Sequence, residues 1–229
     1  MSGECLLVKI PEYRGILRHH FMEVPEVIHE ASGIRFFGRR IRSLVFSTDV
    51  AIIKNINADA VIAVYPFTPQ PAITHAIMLA ADMPVFAGVG GGVTRGPRVI
   101  NLAMDAEFQG ATAVVVNAPT ENEVITRLKK TIDIPVVVTV VSELTNIRAR
   151  LDAGADMLNV SGAARTPEIV CAIREKFPDV PIIATGGPKE ETILQTIRAG
   201  ANAITYTPPT SGELFRRSMD KYRDEQAGV

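Results

Sequence analysis

The residues best suited to chemistry fall in two glycine-rich stretches and at a few isolated polar positions. The first stretch is Ala184-Thr185-Gly186-Gly187-Pro188-Lys189. Two glycines let the backbone approach a bulky anion, and a helix starting just beyond aims its free N–H groups the same way. Lys189 adds a positive charge there. The competing reading is a tight turn with close packing. A later segment, Thr207-Pro208-Pro209-Thr210-Ser211-Gly212-Glu213, would complete an anion clamp through Ser211 and Gly212, because its two prolines have no N–H to donate. The second stretch, Gly88-Val89-Gly90-Gly91-Gly92-Val93-Thr94-Arg95-Gly96, is entropically costly and implies a close-fitting or mobile loop. Gly91, Gly92 and Arg95 are its candidate contacts, with Arg95 able to hold a carboxylate or phosphate through two hydrogen bonds. A plain surface loop is the alternative. Neither a Walker frame nor a dinucleotide fingerprint fits the run.

Acid–base candidates are few. Asp49 and Glu143 each follow an apolar run, where a catalytic carboxylate would lie. Each also stands where a helix start favours an acidic residue. Asn117, Asn159 and Ser161 close other apolar runs and are candidate hydrogen-bonding partners for a ligand, although small polar residues also end strands for local reasons. No histidine falls at such a position, so no Ser/His/Asp or Cys/His arrangement is suggested. His19, His20, Glu23, Glu26 and His29 cluster loosely without metal-ligand spacing, and no metal or cofactor is expected. Cys5 and Cys171 are too few for a disulfide framework.

These residues are positioned by a repeat. From Ser43 the chain alternates short β-branched runs with helical stretches. The runs are Ser43–Ser47, Ala60–Tyr65, Val85–Val89, Ala113–Asn117, Val136–Val140, Met157–Ser161, Ile182–Thr185 and Ala203–Thr207. Each reads as a strand buried on both faces. Between them, Ile73–Ala81, Val99–Gln109, Glu121–Thr131, Glu143–Ala153, Pro167–Phe177 and Glu190–Ala199 carry helical spacing. Met83-Pro84-Val85, Ile134-Pro135-Val136 and Val180-Pro181-Ile182 enter alternate runs. Asn57-Ala58-Asp59, Gly110-Ala111-Thr112, Gly154-Ala155-Asp156 and Gly200-Ala201-Asn202 enter the others. The combined unit predicts an α/β fold of the (β/α)8 TIM-barrel type over residues 43–229, with an N-terminal extension over 1–42. A doubly wound open sheet would show polar edge strands, and none of the runs has that character. Within the extension, Leu6–Ile10 is predicted as a strand and Pro25–Ala31 as an amphipathic helix plugging the barrel's N-terminal mouth.

With that architecture, the glycine turn after the seventh run and the segment after the eighth make the chain resemble the phosphate-binding (β/α)8 barrels, such as the ribulose-phosphate-binding group and the keto-deoxy-phosphogluconate aldolases. The resemblance implies a phosphate held by Gly186 and Gly187, with Ser211 and Gly212 beside it. The Schiff-base lysine of those aldolases is absent, because their lysine position in the sixth strand falls in Met157-Leu158-Asn159-Val160.

The expected function is therefore an isomerase- or lyase-like enzyme acting on a phosphorylated carbonyl-type metabolite. The rival is a non-catalytic regulatory barrel resembling the antiterminator regulators of glycerol uptake. A net charge of −1 over 229 residues gives no general attraction to nucleic acid. No apolar run is long enough for a bilayer, so the expected location is the cytoplasm, without membrane contact. Apolar helix residues such as Ile73, Ile77 and Leu79 suggest a homo-oligomer.

Overall fold

The structure, a computed structural model, describes residues 21–227 together with positions 11, 13 and 15. The strand expected at Leu6–Ile10 lies outside those residues. A two-stranded antiparallel hairpin, β1 (Ile34–Phe36) and β2 (Arg39–Ile41), comes first. Eight parallel strands follow and close on themselves in chain order: β3 (Ser43–Phe46), β4 (Ala60–Ala63), β5 (Val85–Gly90), β6 (Ala113–Val116), β7 (Val136–Val140), β8 (Met157–Val160), β9 (Ile182–Thr185) and β10 (Ala203–Tyr206). Each is followed by a helix: α1 (Val50–Lys54), α2 (Pro71–Ala80), α3 (Pro97–Phe108), α4 (Asn122–Thr131), α5 (Ile147–Asp152), α6 (Thr166–Lys176), α7 (Glu190–Arg198) and α8 (Ser211–Ala227). The chain is a (β/α)8 barrel. Among the described residues, no helix is long and apolar enough to cross a membrane.

Strand residues alternate between two apolar clusters, as the pleat requires. Val45, Val61, Ala87, Val114, Val138, Leu158, Ala184 and Ile204 pack outward beneath the helices. Their neighbours point inward, and the register stacks them in layers of four drawn from alternate strands. Ala60, Ala113, Met157 and Ala203 form the lowest layer, and Leu44, Phe86, Val137 and Ile183 the next. The third layer holds Ile62 and Val115 opposite Asn159 and Thr205. At the C-terminal mouth stand Phe46, Gly88, Thr139 and Thr185. The lower half of the interior is thus wholly apolar, and the upper half is apolar along β3–β6 but polar along β7–β10.

The N-terminal mouth is closed by the hairpin rather than by a helix. Phe36 and Ile41 join the inner cluster, and the Phe36 ring meets Phe86 edge-on at 5.0 Å between centroids. The predicted plug at Pro25–Ala31 is a short 3-10 helix, Glu26–Glu30, which buries Ile28 against α7 on the barrel's outside.

Two further expectations change. The helix predicted from Glu143 begins at Ile147, where the Asn146 side chain caps it by accepting the Ala149 N–H at 3.1 Å. Glu143 therefore opens no helix. Of the residues offered for self-association, Ile77 is buried in the core, Ile73 is half-buried, and Leu79 is exposed.

Three of the strand-entry motifs share a job. Asp59 accepts the backbone N–H of Ser43 at 3.0 Å, Asp156 that of Val136 at 2.9 Å, and Asn202 that of Ile182 at 2.9 Å. Each side chain precedes one strand and satisfies the first donor of the strand before it. Arg174 ties the same end together by donating to the carbonyls of Val180 (2.9 Å) and Gly200 (2.7 Å) and to Asn202 Oδ1 (3.0 Å). Burial pulls its pKa below the ordinary arginine value.

Candidate active site

The βα loops at the C-terminal end frame an open cleft of about 570 Å³, lined by residues that include Phe46, Asp49, Val64, Tyr65, Asn117, Thr207 and Thr210. It shares Val64, Tyr65, Pro66 and Asn117 with the lining of a smaller cavity of about 160 Å³ against the glycine-rich loop. Below the mouth, on the β7–β10 side, is the polar wall. Asn159 Nδ2 donates to Thr139 Oγ1 at 3.4 Å, while Asn159 Oδ1 and Thr205 Oγ1 are buried without a partner. An unpaired buried polar atom costs about 1–3 kcal/mol. Buried polar side chains of this kind near a barrel mouth are candidate partners for a ligand or an ordered water.

Asp49 lies on the cleft and caps α1, accepting the N–H groups of Ala51 at 2.9 Å and Ile52 at 3.4 Å. The Ser211 hydroxyl also donates to it. That bond is the main reason its carboxyl is held below the ordinary Asp value, and the Ser211 backbone N–H acts in the same sense. Asp49 is thus an ionised carboxylate joining the starts of α1 and α8. The start of α8 is further closed by Thr210 and Glu213. Glu213 accepts the Thr210 N–H at 2.8 Å and hydroxyl at 3.0 Å, and Thr210 Oγ1 accepts the Glu213 N–H at 3.2 Å, a reciprocal capping box. Those bonds hold the Glu213 carboxyl below its ordinary value. Ser211 therefore faces the protein's own carboxylate, and Gly212 is exposed beside it.

Gly186 and Gly187 have separate reasons to be glycine. A Cβ on Gly186 would lie 2.7 Å from Ile193 and 2.8 Å from Ile204, so α7 packs directly on its backbone. Gly187 turns the chain at φ +77°. Beyond them, among the described residues, the N–H groups of Gly187, Lys189, Glu190 and Glu191 have no protein acceptor, as at an uncapped helix start. Lys189 is exposed next to them.

The glycine-rich loop is close-fitting. Gly91 N–H donates to Thr94 O at 2.8 Å, and Asn117 N–H to Gly90 O at 2.9 Å. A Cβ on Gly91 would fall 1.8 Å from Thr120 Oγ1, whereas one on Gly92 would meet only Asn117 Nδ2 at 3.6 Å. Arg95 closes the loop by donating to Gly92 O at 2.9 Å. It lines a separate crevice with Pro119 and Glu121 and is not on the cleft.

Glu143 stands apart, exposed and ion-paired with Arg165, in a groove between α5 and α6. The backbone N–H of Glu143 itself, then Arg165, hold its carboxyl below the ordinary Glu value. Ser161 is exposed at the end of β8. The structure therefore gathers Asp49 and Asn117 on the cleft, with Asn159 in the wall below and the Gly186–Gly187 turn following Thr185. It does not bring Glu143 or Arg95 to them. The polar position in this wall not singled out from sequence is Thr205. Counting alternate residues inward from Ala203 would have identified Thr205.

No family model and no curated protein matches the sequence. The fold is nevertheless shared with many solved structures. Phosphonopyruvate hydrolase, solved with oxalate and Mg++, is 15% identical, over 83% of this chain and 82% of that one, at a TM-score of 0.59. Phosphoenolpyruvate phosphomutase from Streptomyces platensis subsp. rosaceus is 11% identical, over 80% of each chain, at 0.58. A mandelate oxidase is 16% identical, over 77% of this chain and 68% of that one, at 0.59. These likenesses establish the barrel and do not single out the ribulose-phosphate-binding group. A Mg2+ centre fits the cleft poorly. Among the described residues no three His, Cys, Asp or Glu side chains converge, and Asp49 already serves Ala51, Ile52 and Ser211.

Proposed function

We propose that this barrel is an isomerase- or lyase-like enzyme acting on a phosphorylated carbonyl-type metabolite. The observation that carries the reading is a run of polar residues on one side of the barrel's upper interior, where Thr205 lies in register with Thr185. It rises from the partnerless Asn159 and Thr205 through Thr185 to the open N–H groups after Gly187. In this reading the phosphate rests on the Gly186–Gly187 turn and the first turn of α7, with Lys189 at its edge. The start of α8 takes no part, because Asp49 already supplies the anion there. Phosphate binding at a distance from the reacting carbons holds them in place over the cleft.

Asp49 is the group on the cleft able to take a proton from the carbon beside the carbonyl. With a hydroxyl on that carbon, the C–H pair becomes the C=C bond of an enediolate and the carbonyl π pair moves onto the carbonyl oxygen, toward which the Asn117 amide would donate. Transfer of the hydroxyl proton to that oxygen lets the other oxygen form the new C=O, while the C=C pair takes the proton back from Asp49 onto the former carbonyl carbon, which completes an isomerisation. The lowered pKa makes Asp49 a weak base, so its strength would come from position. A non-catalytic, ligand-responsive barrel draws its support from that same weakness. The neighbours that handle phosphonopyruvate and phosphoenolpyruvate agree with a small phosphorylated or phosphonate ligand.

A melting screen against inorganic phosphate, sugar phosphates, keto-acid phosphates and phosphonates tests the proposal. A ligand at 100 times its Kd stabilises by about 2.7 kcal/mol, which for a chain of this size raises Tm by roughly 5–11 °C. Lys189→Ala should weaken a true hit several-fold without lowering the Tm of the free protein. Turnover of the hit separates the enzyme from the regulator. If no phosphorylated compound shifts the melt, the reading fails.

A further inference from the structure

We infer that the smaller cavity beside the cleft is a second subsite, which accepts an aryl or branched alkyl group of the substrate. The inference rests on the mouth being the ligand site and adds to it the chemical class of the substrate's far end. The cavity measures about 160 Å³ and is walled by Val64, Phe67, Val93 and Val115, with Gly88 and Gly92 bringing bare backbone to its surface. No charged residue lines it. A cavity of roughly 150 Å³ with apolar walls takes up benzene. The volume therefore suits a single ring or a short branched chain.

Three features show a built pocket. Gly88 and Gly91 leave no room for a Cβ against Ala63 O (2.9 Å) and Thr120 Oγ1 (1.8 Å), so the loop is moulded to one shape. Thr94 in the same lining is 5% exposed, so the wall is firmly packed behind the cavity surface. Phe67 and Val93, on successive βα loops, are 75% and 87% exposed and also line the cavity. Exposed apolar side chains rimming a cavity are characteristic of binding sites. The cavity shares four lining residues with the cleft and lies on the apolar side of the mouth, across from Asn159 and Thr205, so the pair of sites fits a substrate with a polar, phosphorylated head and an apolar tail.

Gly92 allows a direct test, because it has ordinary space for a side chain and no left-handed φ. Titration of the full-length protein with phenylphosphonate and methylphosphonate should show the phenyl compound binding about 10-fold tighter or better. Gly92→Leu should erase that advantage while leaving methylphosphonate unchanged. Phe67→Ala, at a surface position, should reduce it several-fold if Gly92→Leu fails to fold. Equal affinities in the unaltered protein, or an advantage that survives both substitutions, would overturn the inference. Phenol separates the two readings. If neither phosphonate binds but phenol does, and Gly92→Leu or Phe67→Ala weakens it, the phosphate reading falls and the pocket stands. If phenol also fails to bind, or binds both variants as it binds the unaltered protein, the pocket falls.

Discussion

At the N-terminal end of the barrel Asp59, Asp156 and Asn202 each satisfy a strand's first N–H, and Arg174 bonds the carbonyls around it. At the C-terminal end Thr94, Asn159 and Thr205 bury polar atoms that no group in the protein meets. Among the described residues one further such atom exists, Gln109 Oε1 at the end of α3. Asparagine serves at both ends, so residue type alone does not separate them; apart from Gln109, which lies at the N-terminal end, completeness of hydrogen bonding does. A satisfied polar group at one end holds the strands in register. A polar group with no protein partner at the other end is free to meet a ligand or an ordered water.

Substitutions at the two ends should therefore have opposite signs. The largest effect belongs to Arg174→Met, which keeps the aliphatic stem but strips several carbonyls of a charged donor. It should cost about 3 kcal/mol and lower Tm by roughly 6–12 °C, measured by calorimetry. Asp156→Ala should follow at about 2 kcal/mol, since it removes the acceptor of Val136 N–H and the exposed partner of Lys129 (2.7 Å). Neither should alter binding of a ligand at the mouth. Thr205→Val replaces a partnerless hydroxyl by a methyl group and should stabilise the free protein by about 1 kcal/mol while weakening a ligand that bonds there.

The smallest effect concerns pH. Asp49 has its pKa depressed below the usual 3.8, so its contribution is present in full above that value and is lost as pH falls through the lower, folded-state value. Asp49→Asn should leave the neutral-pH Tm within a few degrees and flatten the loss of stability below about pH 4. An unchanged acid limb would show that Ser211 does not hold the carboxylate in solution.

The barrel was legible because strands buried on both faces are β-branched runs. Val136–Val140 and Ile182–Thr185 were read to the residue. The hairpin escaped notice because its strands are three residues each and its turn at Phe37-Gly38 gives no apolar alternation. The start of α5 was misplaced because Glu143-Leu144 continues a helical spacing that the Asn146 cap cuts short. In the site, Asn117 and Asn159 stood out as polar residues closing apolar runs. Thr205 did not, since a threonine inside a β-branched run looks like any other strand residue until its inward parity is known. The Thr210-x-x-Glu213 capping box and its closure by Asp49 also went unread, as the link spans the first and last βα loops.

The most direct test is a pair of melts, Thr205→Val and Arg174→Met, each with and without the best phosphorylated compound from the screen. The account predicts that Thr205→Val melts above the unaltered protein and loses much of the ligand-induced shift, while Arg174→Met melts well below it and keeps that shift. A Thr205→Val protein that melts below the unaltered one and responds to ligand normally would mean that the upper wall is structural, and the functional division between the two ends would fall.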